Sequence, residues 1–435
     1  MEILLNSTAY IELRRPGQAV GDMRKAGFRN AMLELGICSG AGDFLFTDKA
    51  RKETLENGFI FIPDDPSRIA EKLDVLLDTF RKNEMNLPVA HATPLCFPND
   101  GREPDRDLYF RVLEEEVRFA AKLGCRAIVV SPFHLHGTDE EVFEYNRQKY
   151  LRLSEIVNEV FEKSTENRGA SPMKILLENQ FKPFEGHLVR GMLSDTAEII
   201  EWLDRLNHDA GHEDAFGFCL NIGHCNVCAQ DIYEFAYALK DRIDAVVLYD
   251  NDGQNDDTLI PFTAVSGGRS ATNWHEVIKG LRSISFDGYL IMDIGANAAN
   301  FPIILMPELL GLVYRLAEYF KWQIRMADAM KKYDHVVLFG AGNMCRNYMK
   351  NYGEQYPPLF TCDNNSARWG EEFCGLTIES PERLKSLPEN TGIFICNVYY
   401  REIEKQLRDM GITESVEYFN DEYLQTFYMD RLKGL

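Results

Sequence analysis

Two carboxylates in this chain close apolar runs, where a buried segment ends and a site can begin. Glu178 follows three apolar residues in KILLENQ, and Asp293 follows three in YLIMDIG. Burial at such a place raises a carboxyl's pKa unless a cation or hydrogen-bond donors compensate. Two acids so placed make a candidate acid–base pair for moving a proton at a carbon next to a carbonyl. Other polar residues end similar runs: His91 in LPVAHATP, His134 and His136 in AIVVSPFHLH, Asn179 beside Glu178, Asn221 and His224 in FGFCLNIGH, and Asp250 and Asp252 in AVVLYDND. His224 or His91 would polarise the carbonyl. His91, His134, Asn179, Asn221, Asp250 and Asp252 would bind the substrate.

Cys225 and Cys228 stand three apart just after His224, but one C-x-x-C pair supplies too few ligands for structural zinc. Buried thiols are the expectation. The ten cysteines are scattered rather than gathered into a disulfide framework, so reduced thiols are expected throughout.

These residues can meet only if the elements carrying them converge. Strand-like runs fall at 3–10, 30–36, 87–94, 127–134, 174–180, 216–224, 245–252 and 289–295. Between them lie amphipathic stretches such as PSRIAEKLDVLLDTF, DLYFRVLEEEVRFAAKLG and DTAEIIEWLDRLN, with apolar residues at helical spacing. Asp195 is placed to cap the last of these. Eight strand–helix units predict a (β/α)8 TIM barrel over residues 1–332, with an open doubly wound sheet as the alternative. On a barrel the C-terminal strand ends converge on one mouth.

The motifs at these strand ends resemble those of the xylose-isomerase-like barrel family, which includes sugar and sugar-phosphate isomerases and epimerases and apurinic endonucleases. LLENQ is similar to its strand-five L-E-N, NIGHCN to its strand-six D-T-G-H-x-N, LYDNDG to its strand-seven H-x-H-D-N-D-G, and FDGYLIMDIG to its closing Y-D-G-x-L-x-x-E. The resemblance implies a sugar or sugar derivative as substrate. It also implies a divalent metal held by a Glu, an Asp, a His and a Glu. Here those positions read Glu178, Asn221, Val247 and Asp293, so tight Mn2+ or Zn2+ binding by that set is not expected. His91, His134 and Glu178 keep the pattern that binds one ion in the endonuclease-like branch. They read either as ligands of an ion with open positions or as hydrogen-bonding groups for a sugar hydroxyl. That branch's D-x-H after strand seven becomes Asp256-Asp257-Thr258 here, which speaks against DNA repair.

A second series starts at HVVLFGAGNMCRNYMK. Strands are expected at 335–340, 358–363, 392–397 and 415–419, with helices at 343–352, 381–387 and 400–410, making a small Rossmann-like parallel α/β domain over 333–435. Gly340 and Gly342 open a helix after an apolar strand, as in a phosphate-binding turn, and Asp363 ends the next strand where it would meet a ribose hydroxyl. The third glycine of that fingerprint is Cys345. The run CDNNSARWGEEFCGLTIESPERL resembles modules found beside polysaccharide-biosynthesis enzymes. Such a module would bind a nucleotide or nucleotide-sugar, or serve in packing and homo-oligomer formation.

Composition sets the outer limits. The 435 residues carry a formal charge of −21, which argues against nucleic acid as a partner. No apolar run is long enough to span a membrane and the first residues lack a signal-peptide layout, so a soluble cytoplasmic protein is expected. The leading expectation is a sugar isomerase or epimerase fused to a nucleotide-binding-like module. The alternative is a non-catalytic carbohydrate- or nucleotide-sensing protein on the same scaffold.

Overall fold

A computed structural model describes residues 1–13, 16–36, 66–94, 106–135, 137–163, 171–266, 269–413 and 415–420. The chain divides into two compact units, Met1–Lys321 and Trp322–Leu435.

The first unit is a closed barrel. Its strands are β1 (Glu2–Asn6), β2 (Asn30–Glu34), β3 (Asn86–His91), β4 (Ala127–Val130), β5 (Lys174–Glu178), β6 (Phe216–Asn221), β7 (Ile243–Leu248) and β8 (Tyr289–Met292). They pair in parallel around the ring, and β1 closes it by pairing with β8, Leu4 opposite Ile291. The strands are shorter than the apolar runs suggest because their polar ends leave the ladder. After β6, for example, the Asn221 side chain accepts from the His224 N–H and starts the helix Ile222–Val227. That leaves residues 222–224 outside the strand.

Side chains alternate between the two faces of each strand. The inward set is apolar: Leu4, Met32, Val89, Val129, Leu176, Cys219, Ala245, Val247 and Ile291 pack together at the centre. Two residues further along most of these strands, on the same face, stand Asn6, Glu34, His91, Glu178, Asn221, Tyr249 and Asp293. The polar mouth is therefore the next layer above an apolar plug. Helices such as Arg106–Lys122, Asp139–Lys163 and Thr196–Ala210 cover the outside. None of the described helices is long and apolar enough to cross a membrane.

The second unit contains a six-stranded sheet. Its strands are β9 (His335–Phe339), β10 (Pro358–Cys362), β11 (Glu372–Phe373), β12 (Leu376–Glu379), β13 (Thr391–Ile395) and β14 (Val416–Tyr418), in the order β11-β12-β10-β9-β13-β14. The sheet is mixed rather than parallel throughout, because β11 runs antiparallel to β12. Cys374 and Gly375 join them, both at positive φ (53° and 79°), which is what a tight two-residue hairpin requires. Cysteine is a poor turn signal, so this hairpin was not legible in the sequence. The segment expected as a helix at 381–387 is a 3-10 helix, Pro381–Ser386. Met326 and Met330 lie in the core of this unit, which begins at Trp322 rather than at 333.

Asp195 does cap the helix Thr196–Ala210, its carboxylate accepting from the N–H groups of Ala197 (2.9 Å) and Glu198 (3.3 Å). Asp195→Ala should cost about 1 kcal/mol of stability, read as a lower urea midpoint with an unchanged slope.

Candidate active site

Glu178, at the end of β5, is 4% exposed. Its Oε1 accepts from Asn221 Nδ2 (3.0 Å) and its Oε2 from Gln180 Nε2 (3.0 Å). His91 Nε2, from the end of β3, stands 3.8 Å from Oε2. Burial alone would raise the Glu178 carboxyl, but the His91 and His224 charges and the Asn221 amide hold it down to about 2. Burial likewise works against a charge on His91, yet Glu178 and then Glu34 raise it to about 9. The His91 ring donates Nδ1–H to the Ala92 carbonyl (2.7 Å).

Both polar atoms of the Asn221 side chain have partners. Its Oδ1 caps the His224 N–H (3.1 Å), which turns its amino group towards Glu178. The helix it starts places His224, whose Nδ1–H donates to the Asn179 carbonyl (2.6 Å). His224 Nε2 lies 3.6 Å from Asp256 Oδ2. Burial opposes the imidazolium and Asp256 and Glu178 support it, giving a pKa of about 9. Asn179 itself binds backbone, accepting from Asn221 N–H and donating to the Asn221 carbonyl. It clamps β5 to β6.

Tyr249, just past β7, is a residue that the strand-end reading missed. Its hydroxyl donates to Asp256 Oδ1 (2.5 Å), and its ring lies where a Cβ on Gly223 would approach it to 2.0 Å. Burial and the charges of Asp256, Asp293 and Glu178 keep its phenol well above its ordinary pKa. Counting two residues on from the inward Val247 would have found it.

On the other side of the mouth, Asp293 Oδ2 and Glu34 Oε1 accept from the same nitrogen, Nδ2 of Asn6, at 2.8 and 2.7 Å. Asp293 Oδ1 accepts from Gly295 N–H (3.0 Å). Burial first, and then the negative charge of Glu34, raise Asp293 to about 6. Glu34 and Asn6 were also missed, and the same count of two from Met32 and Leu4 identifies both.

The remaining expected residues lie elsewhere. Asp250 is fully buried and holds a loop, accepting from Thr272 Oγ1 (2.6 Å), Ala264 N–H (3.0 Å) and Asn251 N–H (3.1 Å). Asp252 is exposed and caps a turn at Gln254 and Asn255. His134 lines a cleft of about 1010 Å3 over the ends of β4 and β5, together with Arg106, Phe181, Lys182, Glu198 and Arg205. Burial and the Lys182 charge push its imidazole below the usual range. This cleft does not take in Glu178 or Asp293. The charged groups converge at the mouth instead. His136 lies outside the described residues.

Among the described residues no three His, Cys, Asp or Glu side chains are grouped as a metal site, so His91, His134 and Glu178 do not form one cluster. Cys225 and Cys228 are buried thiols raised by burial, Cys228 to about 11.

In the second unit Gly340 sits at φ 121° against the Cys396 carbonyl, where a Cβ would approach to 2.7 Å. Gly342 opens the helix Asn343–Asn351 without a side-chain cap, and a Cβ there meets nothing within 4 Å. Asp363 accepts from Ala341 N–H (3.2 Å) and Asn365 N–H (2.9 Å), and Arg368 Nη1 donates to the Ala341 carbonyl (2.9 Å). Cys345 is buried in the core beside this turn.

A closed eight-stranded parallel barrel with a ring of ionisable groups at its C-terminal mouth defines a class of scaffold whose sites form at strand ends. Residues 52–303 match the family described as Xylose isomerase-like TIM barrel, and the chain belongs to that family. Residues 332–416 match a second family, described as C2185-like, N-terminal. No curated protein sequence matches the chain. Among solved structures it is similar to a D-tagatose 3-epimerase-like protein, with 18% identity, 73% of this chain and 99% of that chain covered, and a TM-score of 0.47. The 3-keto-D-glucoside 4-epimerase of E. coli gives 12%, 72%, 99% and 0.48. The D-psicose 3-epimerase of Clostridium cellulolyticum H10 gives 12%, 74%, 99% and 0.48.

The contact of Gly223 with Tyr249 yields a direct test. Gly223→Ala forces the phenol ring to move and should destabilise the barrel by about 1–3 kcal/mol, seen as a lower urea midpoint. An unchanged midpoint would mean that the ring is not held there.

Proposed function

We propose that the barrel moves a proton at the carbon next to a carbonyl of a sugar or sugar derivative, as an isomerase or epimerase does. The observation that carries this reading is the split between its two strand-end acids. Their environments push Glu178 down to about 2 and Asp293 up to about 6, and acid–base roles are found where environments drive such groups apart. Asp293 is then the group that gives and takes the proton. The C–H electron pair moves to the carbonyl carbon–oxygen unit, leaving an enolate oxygen and a protonated Asp293. Return of the proton by Asp293 to the neighbouring carbon gives an isomer, whereas an epimer needs a proton delivered to the opposite face of the enolate by a second acid, a role open to the imidazolium of His91 or His224. The Nε2 atoms of His91 and His224 lie 3.8 and 3.6 Å from their carboxylate partners, beyond good hydrogen-bond length. Their N–H groups can therefore turn to the developing oxyanion. Glu178 serves by holding both rings in the charged form.

The family's divalent ion does not fit this donor set. The Asn221 side chain is neutral, its oxygen already accepts the His224 N–H and its amino group faces Glu178. Val247 lies in the apolar plug. The proposal therefore takes the positive charge from imidazolium groups.

Wash-in of solvent deuterium tests the reading, with a panel of free aldoses, free ketoses, 3-keto sugars and sugar phosphates in D2O followed by NMR. Chelator-treated protein should label at least one, and Asp293→Asn should slow labelling by about 10²–10⁴-fold. Glu178→Gln should slow it too, by releasing the histidines from their charged form. No labelling of any sugar by the wild-type protein would leave the binding-only alternative. Undiminished labelling by Asp293→Asn would remove Asp293 from the reaction.

For the second unit we propose a Rossmann-like role, in which a phosphate-bearing nucleotide or nucleotide-sugar docks over the turn at 340–345. Open space above Gly342 at an uncapped helix start favours it. Asp363, though tied to the turn, keeps acceptor capacity for a ribose hydroxyl. Calorimetry on the full chain with adenine, uridine and guanine nucleotides and their sugar conjugates should give heat with at least one of them, and none with Gly342→Val. A blank panel, or equal binding by the variant, would return the unit to a packing role.

A further inference from the structure

The cleft beside the mouth is walled by parts of the chain that the proton-transfer reading does not use. Arg106 opens the helix Arg106–Lys122 and His134 follows β4. Phe181 and Lys182 lie on the hairpin of Phe181–Phe184 with His187–Arg190, and Arg205 comes from the helix Thr196–Ala210. Phe181 joins the cleft to the mouth, its ring set edge-on to that of His224 at 4.9 Å. A single sugar ring does not fill this space. Pockets of about 300–1,000 Å3 hold drug-sized ligands, and the cleft measures about 1010 Å3.

The acids of the lining are met within it. Arg205 donates to Glu140 (2.9 Å) and to Glu201 (3.2 Å). Glu198 accepts the Leu193 N–H (3.0 Å), and Asp195 caps its helix. Asp139 stands in the first turn of the helix Asp139–Lys163, where a negative charge is favoured. Arg106 Nη2 reaches the His134 carbonyl at 3.4 Å, and Lys182 is near enough for its charge to act on the His134 ring. Lys182 is exposed and pairs with no acid among the described residues. In a chain of net charge −21, two cations and an imidazole gathered beside one mouth form a local place for an anion. We propose that the cleft is a second subsite, which binds an acidic unit joined to the sugar at the mouth and holds its carboxylate or phosphate with Lys182 and Arg106. The substrate class is then an acidic glycoside rather than a free sugar. The proposal rests on the reading that a sugar occupies the mouth, but its binding can be measured without turnover.

Calorimetry on the full chain tests it with three matched sets of glucosides and galactosides. The second unit is a neutral sugar in one set, a uronic acid in another and a sugar phosphate in the third. At least one acidic set should bind about tenfold tighter than the neutral set, and the gap should narrow as salt is raised. The uronic acid and phosphate arms tell which anion the cleft takes. Lys182→Ala touches an exposed side chain, so the fold should stand while the preference falls by about tenfold. Lys182→Arg should restore it, and Arg106→Gln should weaken it in the same direction. No heat from either acidic set, equal binding of acidic and neutral sets, or an undiminished preference in Lys182→Ala would overturn the subsite. Charge-dependent binding without deuterium labelling of any glycoside would sink the proton-transfer reading and leave the subsite standing. Equal labelling of neutral and acidic glycosides would do the reverse.

Discussion

A carboxylate with 4% of its surface exposed cannot remain ionised unless the protein replaces the water it has lost. Glu178 imposes that requirement on the whole barrel mouth. Its oxygens take N–H groups from Asn221 and Gln180, and its charge is met by the His91 and His224 rings. Those partners come from β3, from the residue pair after β5, and from the end of β6. The Asn221 side chain also starts the short helix that carries His224. Displacing the amide would therefore move the second histidine along with the first donor. His224 in turn faces Asp256, which receives the Tyr249 hydroxyl. The polar arrangement is a chain of obligations that begins with one buried charge.

Across the mouth the opposite condition holds. Glu34 and Asp293 share one neutral amide and no cation is paired with either among the described residues. Both sides rest on the same apolar plug, so the medium beneath them is alike. What differs is the sign of the neighbours. In a site of low dielectric such differences are large. They hold the Glu178 carboxyl down to about 2 and push that of Asp293 up to about 6.

Several strand-end polar residues serve the frame instead. Asp250 spends both oxygens on the loop 259–272, Asn179 ties β5 to β6, and Asp252 closes a turn. A loop that crosses a barrel mouth must have its backbone groups satisfied, and acids and amides at strand ends are the nearest partners. Position at a strand end marks both kinds of residue alike.

The barrel was legible because eight apolar runs separated by amphipathic stretches allow few other closures, and Glu178, His91, His224 and Asp293 were legible because they end those runs. Period two within each strand also held Asn6, Glu34 and Tyr249 in plain view, each two residues beyond an inward apolar side chain. The end of an apolar run does not mark them, because what sets them apart is the inward face they share with Leu4, Met32 and Val247. Two things could not be read from the chain at all. Asn221 gives its oxygen to a helix cap and its amino group to Glu178, a division set by the local backbone path. Asn6, near the start of the chain, bridges Glu34 and Asp293 only because β1 closes the ring against β8 and lies beside β2. Alternation belongs to a single strand and can be counted, whereas which polar atoms meet across a mouth depends on closure and register, which exist only once the barrel has formed.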